Sequence, residues 1–594
     1  MTDHGRRLDL LRTAIAAAGG QAYVVPLTDE HGSEYVIGYA RRLEWLTGFT
    51  GSQGWAAVTG ERAAIFVDGR YIVQAEREVD RGRIEVIPGG GDAVAPWLAA
   101  NAVGQQPVLF DPWLHDCGWV DRATNALAAA GIALVPAPNL IDTIWTDRPA
   151  PPAAPAVPHP LRFAGREASA KRAQMAAEVA SAGADALVLT ALDSIAWLLN
   201  IRGTDLGETP VVRSFLLLRS NASAMLFVDP GKINDAMRDH LGSDVECAPY
   251  GTLATRLGEM GTTRVMIDPD RCPAAVRAAL GTARIIAAVD PCLTPRAIKN
   301  PVEIAGMRRA HQADGIAVVR FLIWLESAAR SGDLDEIAAA DRLDALRRKD
   351  GLCRGLSAAT ISAAGANAAL PHYLAKPGAA ALLRPGSVYL FDGGGQYLDG
   401  TTDITRTVAI GDPAPALRRD FTLALKAHLA IATLRFPAGT TGGQLDPLAR
   451  QPLWRAGLDY PTGTGHGLGS YLAIHEGPAF FGKPGGTRAV DAPLRTDMVM
   501  TIEPGIYRVG QHGVRTENAY RVVPATGEGG AAGWHAFEPL TMAPIDRRLI
   551  DTALLDAEER AWIDRYHAAV VAALADALNP PERAWLERTC APLD

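Results

Sequence analysis

The feature that most restricts the fold is an internal echo. "RLEWLTGFTGS" (Arg42–Ser52) returns as "SIAWLLNIRGT" (Ser194–Thr204), each with Trp-Leu, an apolar residue three positions later and Gly-Ser or Gly-Thr at its end. The echo continues in "AIFVDGR" (Ala64–Arg70) and "MLFVDPG" (Met225–Gly231), an apolar strand closed by Asp and a turn former. Self-similarity in fixed order marks a duplicated unit, so the first half of the chain is expected to hold two related domains. Between the echoes lies "TDRPAPPAAPAVPHP" (Thr146–Pro160), six prolines in fifteen residues. Proline removes a backbone donor and fixes φ, which excludes helix and central strand and leaves an extended connector. Stretches such as Gln21–Val25, Ala63–Val67, Ala186–Thr190 and Phe215–Leu218 read as strands alternating with segments of 3.6-residue period, the pattern of layered α/β sheets. The Trp-Leu phrase therefore reads as duplicated scaffold.

With 594 residues, the chain is too long for one hydrophobic core. The expected division is an α/β domain over 1–155, a related one over 156–297, and a third, α+β unit over 298–594 whose end, from about 540, is a helical extension. The third unit opens at Asn300, a helix cap followed by Pro301 at the first helical position, with an apolar stripe through Ile304, Met307, Ile316, Val319 and Leu322. Its tail, read as a long helix, a Pro-Pro break and a short helix, either packs on the domain or pairs subunits. A net charge of -8 and the lack of a basic block argue against nucleic acid. No run approaches the roughly 20 apolar residues of a membrane helix, and no membrane partner is expected. "MTDHGRRLDLLRTAIAAAGG" reads as an amphipathic helix ending at Gly19-Gly20 and not as a leader. Six cysteines without a C-x-x-C pair suit a reducing cytoplasm.

The chemistry gathers in the third unit. "FDGGGQYLDGTTDITRT" (Phe391–Thr407) places Asp392, Asp399 and Asp403 where the flanks are strand-like, although strands disfavour Asp and Gly. In a hairpin with its tip between Tyr397 and Leu398, Asp392 and Asp403 face each other, close enough to share a cation and otherwise repelling. Asp399 with Gly400 is a turn pair. His466 lies among glycines 463, 465, 467 and 469; no strand-to-helix passage and no Lys follow, so a metal ligand suits it better than a phosphate cradle. "HEGPA" is not a zincin motif, because Ala479 stands where a second His is required. Glu503 ends the strand of "MVMTIEPGIY" and Glu517 lies in "GVRTENAYRVV", and the intervening turns put both on neighbouring strands facing one cleft. Either glutamate taken singly reads equally well as a solvent-facing acid. Together, Asp392, Asp403, His466, Glu503 and Glu517 supply four negative charges, the balance for two divalent cations of hard or borderline character such as Mn(II), and so point to a hydrolase.

The motifs "WLTGFTGS", "DGRY", "TALDSIAWLLNIRGTD", "DGTTDITRT", "GHGLGSYLAIHEGP", "EPGIY" and "GVRTEN" occur in this order along nearly the whole chain. In this series the chain resembles the pita-bread metallopeptidases, and its layout is similar to the long, three-domain Xaa-Pro aminopeptidases (aminopeptidase P). The resemblance implies two tandem creatinase-like domains before a pita-bread catalytic domain. It implies that Asp392, Asp403, His466, Glu503 and Glu517 ligate two divalent ions, commonly manganese, with zinc or cobalt as alternatives. Asp403 would chelate one ion, the glutamates would bridge or flank a hydroxide, and Glu503 would be the general base. His372 and His475 match cleft histidines that stabilise the tetrahedral intermediate or move protons, and Arg515 matches a cation beside the last ligand that also serves substrate binding. Thr462 stands where many members carry a histidine, which bears on substrate preference. The implied substrates are peptides with proline in second position, cut by a cytoplasmic homodimer. A prolidase restricted to Xaa-Pro dipeptides, a creatinase-like enzyme without metal and a non-enzymatic peptide-binding scaffold are the rivals.

Overall fold

A computed structural model describes residues 3–102, 104–485, 488–528 and 531–593. The chain divides into two compact units, one of residues 1–160 with 166–292, the other of residues 161–165 with 293–594.

The first unit carries the duplication in three dimensions. Its first sheet contains β1 (Ala22–Pro26), β2 (Trp55–Thr59), β3 (Ala63–Val67), β4 (Glu85–Pro88), β5 (Val108–Phe110) and β6 (Leu134–Pro136), in the order β4-β3-β2-β1-β5-β6. The second sheet repeats that order with Val245–Pro249, Ala224–Val228, Ser214–Arg219, Ala186–Leu189, Arg264–Ile267 and Arg284–Ala287. Both sheets have two antiparallel pairings at their centre and parallel pairings outside them. The Trp-Leu phrase is the same helix in each: Arg42–Thr47 is closed by Gly48 in the left-handed region, and Leu192–Leu199 by Asn200, also left-handed. A left-handed cap without glycine is tolerated best by Asn, which explains the one chemical difference between the two closures.

The two sheets are tied by a polar cluster. Arg213 donates to Glu30 from Nε at 2.7 Å, Tyr250 donates to the same carboxylate oxygen at 2.8 Å, and Tyr250 also contacts His31 Nε2 at 2.9 Å. Burial alone would raise the Glu30 pKa, but the neighbouring His31 and Arg213 charges outweigh it and hold it down at about 2.

In the second unit, the helix Pro301–Ala328 starts at a complete capping box, with Asn300 accepting from the Glu303 N–H and the Glu303 carboxylate from the Asn300 N–H. The Asn300 amide also donates to Ala164 O, so Leu161–Gly165, which the sequence reading assigns to the second domain, packs with the third. A six-stranded sheet runs Arg435–Pro437, Trp534–Pro539, Asn518–Ala525, Val499–Ile502, Gly465–Gly467, Glu476–Phe481 across, all pairings antiparallel. A three-stranded sheet places Ser387–Gly393 between Ile361–Ala364 and Ile404–Ile410. Helices Pro415–Ala432, Gly442–Trp454 and Ala557–Leu574 cover these sheets, and buried Ile563, Tyr566, Val570 and Leu574 join the core of Phe421, Leu425 and Leu429. The C-terminal extension thus packs on its own domain.

The hairpin differs from the expected register. Asp392 pairs with Thr405 and Gly393 with Ile404, and beyond an irregular step Gln396 pairs with Thr401, which puts the tip between Leu398 and Asp399. Asp392 and Asp403 are diagonal and not directly opposite. An even slip keeps side chains on the same face, so both still project together. The cause is tertiary: Asp399, assigned to turn chemistry alone, is buried and accepts a fork of two bonds from Arg309 on the long helix. A Cβ on Gly306 of that helix would stand 2.2 Å from Asp399 O, so the hairpin tip lies directly against the helix backbone.

Candidate metal centre

Four of the five expected ligands sit at or just beyond a strand end, where a side chain leaves the ladder and can aim into a shared space. Asp392 is on Ser387–Gly393; Asp403 precedes Ile404–Ile410; Glu503 follows Val499–Ile502; Glu517 precedes Asn518–Ala525; His466 is central in Gly465–Gly467. Glu517 was expected inside a strand. It occupies the break between His512–Arg515 and Asn518–Ala525, and the pairing of Ile502 with Asn518 brings Glu503 and Glu517 next to each other. The glycines around His466 serve the neighbouring strands: a Cβ on Gly465 would meet Thr501 O at 2.0 Å and one on Gly467 would meet Glu476 O at 2.1 Å.

His466 Nε2 lies 3.4 Å from Asp403 Oδ2, 3.4 Å from Glu503 Oε1 and 4.0 Å from Glu517 Oε1. Its Nδ1 is 3.0 Å from Gly467 O, so Nε2 is the ring nitrogen that faces the carboxylates. Ligand atoms of Asp403, His466 and Glu517 all lie within 4.8 Å of one another. Asp392 joins through Arg515, whose Nη2 donates to Asp392 Oδ2 at 2.5 Å.

Electrostatically, this cluster needs a cation. Burial lifts the Asp392 carboxyl to about 6, with Arg515 opposing and the Asp403 and Glu503 charges adding to the rise. Glu517 is pushed well above the carboxylate range by burial and by Asp403, Glu503 and Asp392. Burial disfavours the charged form of His466, yet the hydrogen bond to Asp403 and the charge of Glu503 prevail and raise it to about 9. Asp403 Oδ1 and Glu517 Oε1 are buried without a hydrogen-bond partner. Unsatisfied buried carboxylate oxygens are costly, and a divalent ion is the partner their charge and convergence fit.

Two supporting residues were missed from sequence. The Thr405 hydroxyl donates to Glu517 Oε2 at 2.8 Å and accepts from Arg515 Nε at 3.0 Å. Tyr507 OH accepts from Arg515 Nη1 at 2.7 Å. The period-2 spacing of Asp403, Thr405 and Thr407 would have flagged the first. Arg515, expected to touch substrate, is 2% exposed and hydrogen-bonded to Asp392, Tyr507, Thr405 and the carbonyl of Pro371. That last bond brings the segment carrying half-buried His372 to the cluster. His475, also half-buried, has its ring 4.3 Å from that of His466, edge to face. The Thr462 hydroxyl is buried with no partner.

Residues 305–524 match metallopeptidase family M24, and 533–593 match the C-terminal region of peptidase M24. Residues 7–144 and 147–303 each match a creatinase/prolidase N-terminal domain. Aminopeptidase P1 of Arabidopsis thaliana is 36% identical, over 96% of this chain and 96% of its own. The chain belongs to metallopeptidase family M24. Among solved structures, the X-prolyl aminopeptidase of Caenorhabditis elegans, described as a cytosolic enzyme with a di-nuclear active site, is 34% identical over both full lengths with a TM-score of 0.94. The Xaa-Pro dipeptidase of Bacillus anthracis is 26% identical and covers 64% of this chain and 99% of its own, with a TM-score of 0.51. The fold is accordingly two creatinase-type domains followed by an M24 pita-bread domain, and the protein is a metallopeptidase.

Proposed function

We propose that the protein is a cytoplasmic, homodimeric Xaa-Pro aminopeptidase that releases the N-terminal residue from peptides with proline in second position. The observation that carries this reading is the buried cluster of four carboxylates and one imidazole, two of whose oxygens lack any protein partner. Full-length similarity to an aminopeptidase P1 and to an X-prolyl aminopeptidase supports the substrate class. Proline offers a tertiary amide with no N–H, a bond for which a dedicated site is reasonable.

Asp392, Asp403, His466, Glu503 and Glu517 would hold two divalent ions, manganese by the hardness of the mostly oxygen donors. Such a pair supplies Lewis-acid polarisation of the scissile carbonyl and an acidified water at neutral pH. Glu503 is the carboxylate best placed to take the proton of the attacking water: its side chain is 22% exposed, against 5% for Asp403 and 1% for Glu517. His475, packed on the edge of His466, and His372, on the segment held by Arg515, are the imidazoles available to the tetrahedral intermediate and to proton movement. Arg515 holds Asp392 ionised and oriented. A threonine at 462 leaves that position without imidazole chemistry.

The test is hydrolysis of Arg-Pro-Pro, Gly-Pro and a proline-free tripeptide by manganese-, zinc- and cobalt-loaded protein, before and after chelation. Cleavage of Arg-Pro-Pro alone among the tripeptides, lost on chelation, is expected. Cleavage restricted to Gly-Pro would make it a prolidase, and no hydrolysis with any metal would leave a binding scaffold.

A further inference from the structure

Along the strand Ile404–Ile410, the second unit contains a cavity of about 440 Å³ whose lining includes none of Asp392, Asp403, His466, Glu503 and Glu517. Its walls are Leu322 and Leu325 of the long helix and Ala329 just past its end, Val408 and Ile410 of Ile404–Ile410, and Trp585 of the last helix, Pro580–Thr589. The volume falls in the range of small-molecule sites, about 300–1,000 Å³.

The lining is cationic. Five guanidinium groups line the cavity, those of Arg330, Arg406, Arg547, Arg548 and Arg588, against two carboxylates, Glu326 and Asp546. Asp546 is taken by Arg548 at 2.7 Å, and Glu326 accepts from the Trp585 indole N–H at 2.6 Å. Arg406 is buried among carbonyls, the Asn518 amide and the Tyr566 hydroxyl. Among the described residues, no ion pair engages Arg330, Arg547 or Arg588, and Arg547 Nε is buried with no hydrogen-bond partner. Arg330 Nε donates to Glu326 O at 3.2 Å and Arg547 Nη2 to Pro592 O at 2.5 Å, but neither has a carboxylate partner among the described residues; apolar walls beside guanidinium groups without carboxylates fit a molecule with an apolar tail and an anionic head. A peptide strand fits less well. Although Ile404–Ile410 is the edge of its sheet, Ala409 N–H already donates to Asp546, Ala409 O accepts from Arg548, and Thr405 O accepts from Glu517 N–H. Side chains and a neighbouring backbone thus cover the groups that strand addition would use.

We propose that this cavity is a binding site for a medium-chain alkyl carboxylate, its tail between the long helix and Trp585 and its carboxylate on Arg330, Arg547 and Arg588. The experiment is calorimetric titration of metal-loaded, full-length protein with decanoate below its micellar concentration, with Trp585 emission as a second readout. Expected are one site per chain with a Kd no weaker than about 100 µM, at least tenfold weaker binding of decanol and of butyrate, and loss of the site in Ala329→Trp. The double variant Arg330→Ala/Arg588→Ala is expected to weaken decanoate at least tenfold while leaving peptide hydrolysis unchanged. Equal affinity for decanol, unaltered binding in both variants, preference for a hydrophobic N-acetyl dipeptide acid over decanoate, or no binding would each overturn the proposal.

Discussion

Thr405 joins two parts of the metal cluster through one hydroxyl, donating to Glu517 and accepting from Arg515. Replacing it by valine keeps the shape and leaves two buried charged groups each short of one bond. Thr405→Val is expected to lower metal affinity about 10–100-fold and Thr405→Ser to restore it, as read by metal titration calorimetry. Asp403→Ala removes a carboxylate 3.4 Å from His466 Nε2 and is expected to abolish both bound metal, measured by elemental analysis, and turnover; retained activity would contradict the proposed ligand assignment. The sequence singles out the cluster's acids and its imidazole because charged residues in strand-like segments are out of place there, and the structure brings them together. Thr405 is not singled out, since a threonine in a strand is ordinary until the partner strand supplies Glu517 and Arg515.

Helix starts carry the clearest local signals in the chain. Asn300 with Pro301 and Glu303 forms the box that the sequence pattern suggests, and Asn300→Ala is expected to cost about 1 kcal/mol in chemical denaturation, more if the bond to Ala164 O is counted. Just ahead of the helix Cys117–Ala128, His115 is fully buried against Trp55, Phe110 and Trp119, with Nδ1 bonded to Asp111 O. Burial lowers its pKa from 6.5 to about 4. The unfolded chain therefore binds the extra proton first as pH falls: the contribution is complete above about 6.5 and is lost progressively towards 4, by about 1.4 kcal/mol per pH unit in that window. Thermal unfolding of His115→Asn beside the parent across pH 4–7 should show a shallower loss in the variant. The hairpin shows where local signals stop. Its turn residues were legible, but the register moved by two because Asp399 meets Arg309 and Gly400 lies on Met307 and Ala310 of a helix ninety residues away in sequence.

On the scale of the whole molecule, the two N-terminal sheets share strand order and pairing and are held by Glu30, Arg213, Tyr250 and His31. Glu30→Ala leaves a partly buried guanidinium unpaired and is expected to lower the stability of the first unit by about 3 kcal/mol, seen as an earlier thermal transition with the second unit unchanged.

The sequence by itself determined the duplicated scaffold, the proline connector and the helix starts, and it singled out the acids that the fold brings together. All of these rest on local periodicity, backbone chemistry or the cost of burying a charge. Only the tertiary structure decided which residues complete the cluster and how the hairpin is registered. It also decided that Arg515 turns inward to Asp392 and that Asp399 is a buried partner of Arg309. Those outcomes depend on segments far apart in the chain coming within hydrogen-bond distance, and no local pattern records such a meeting.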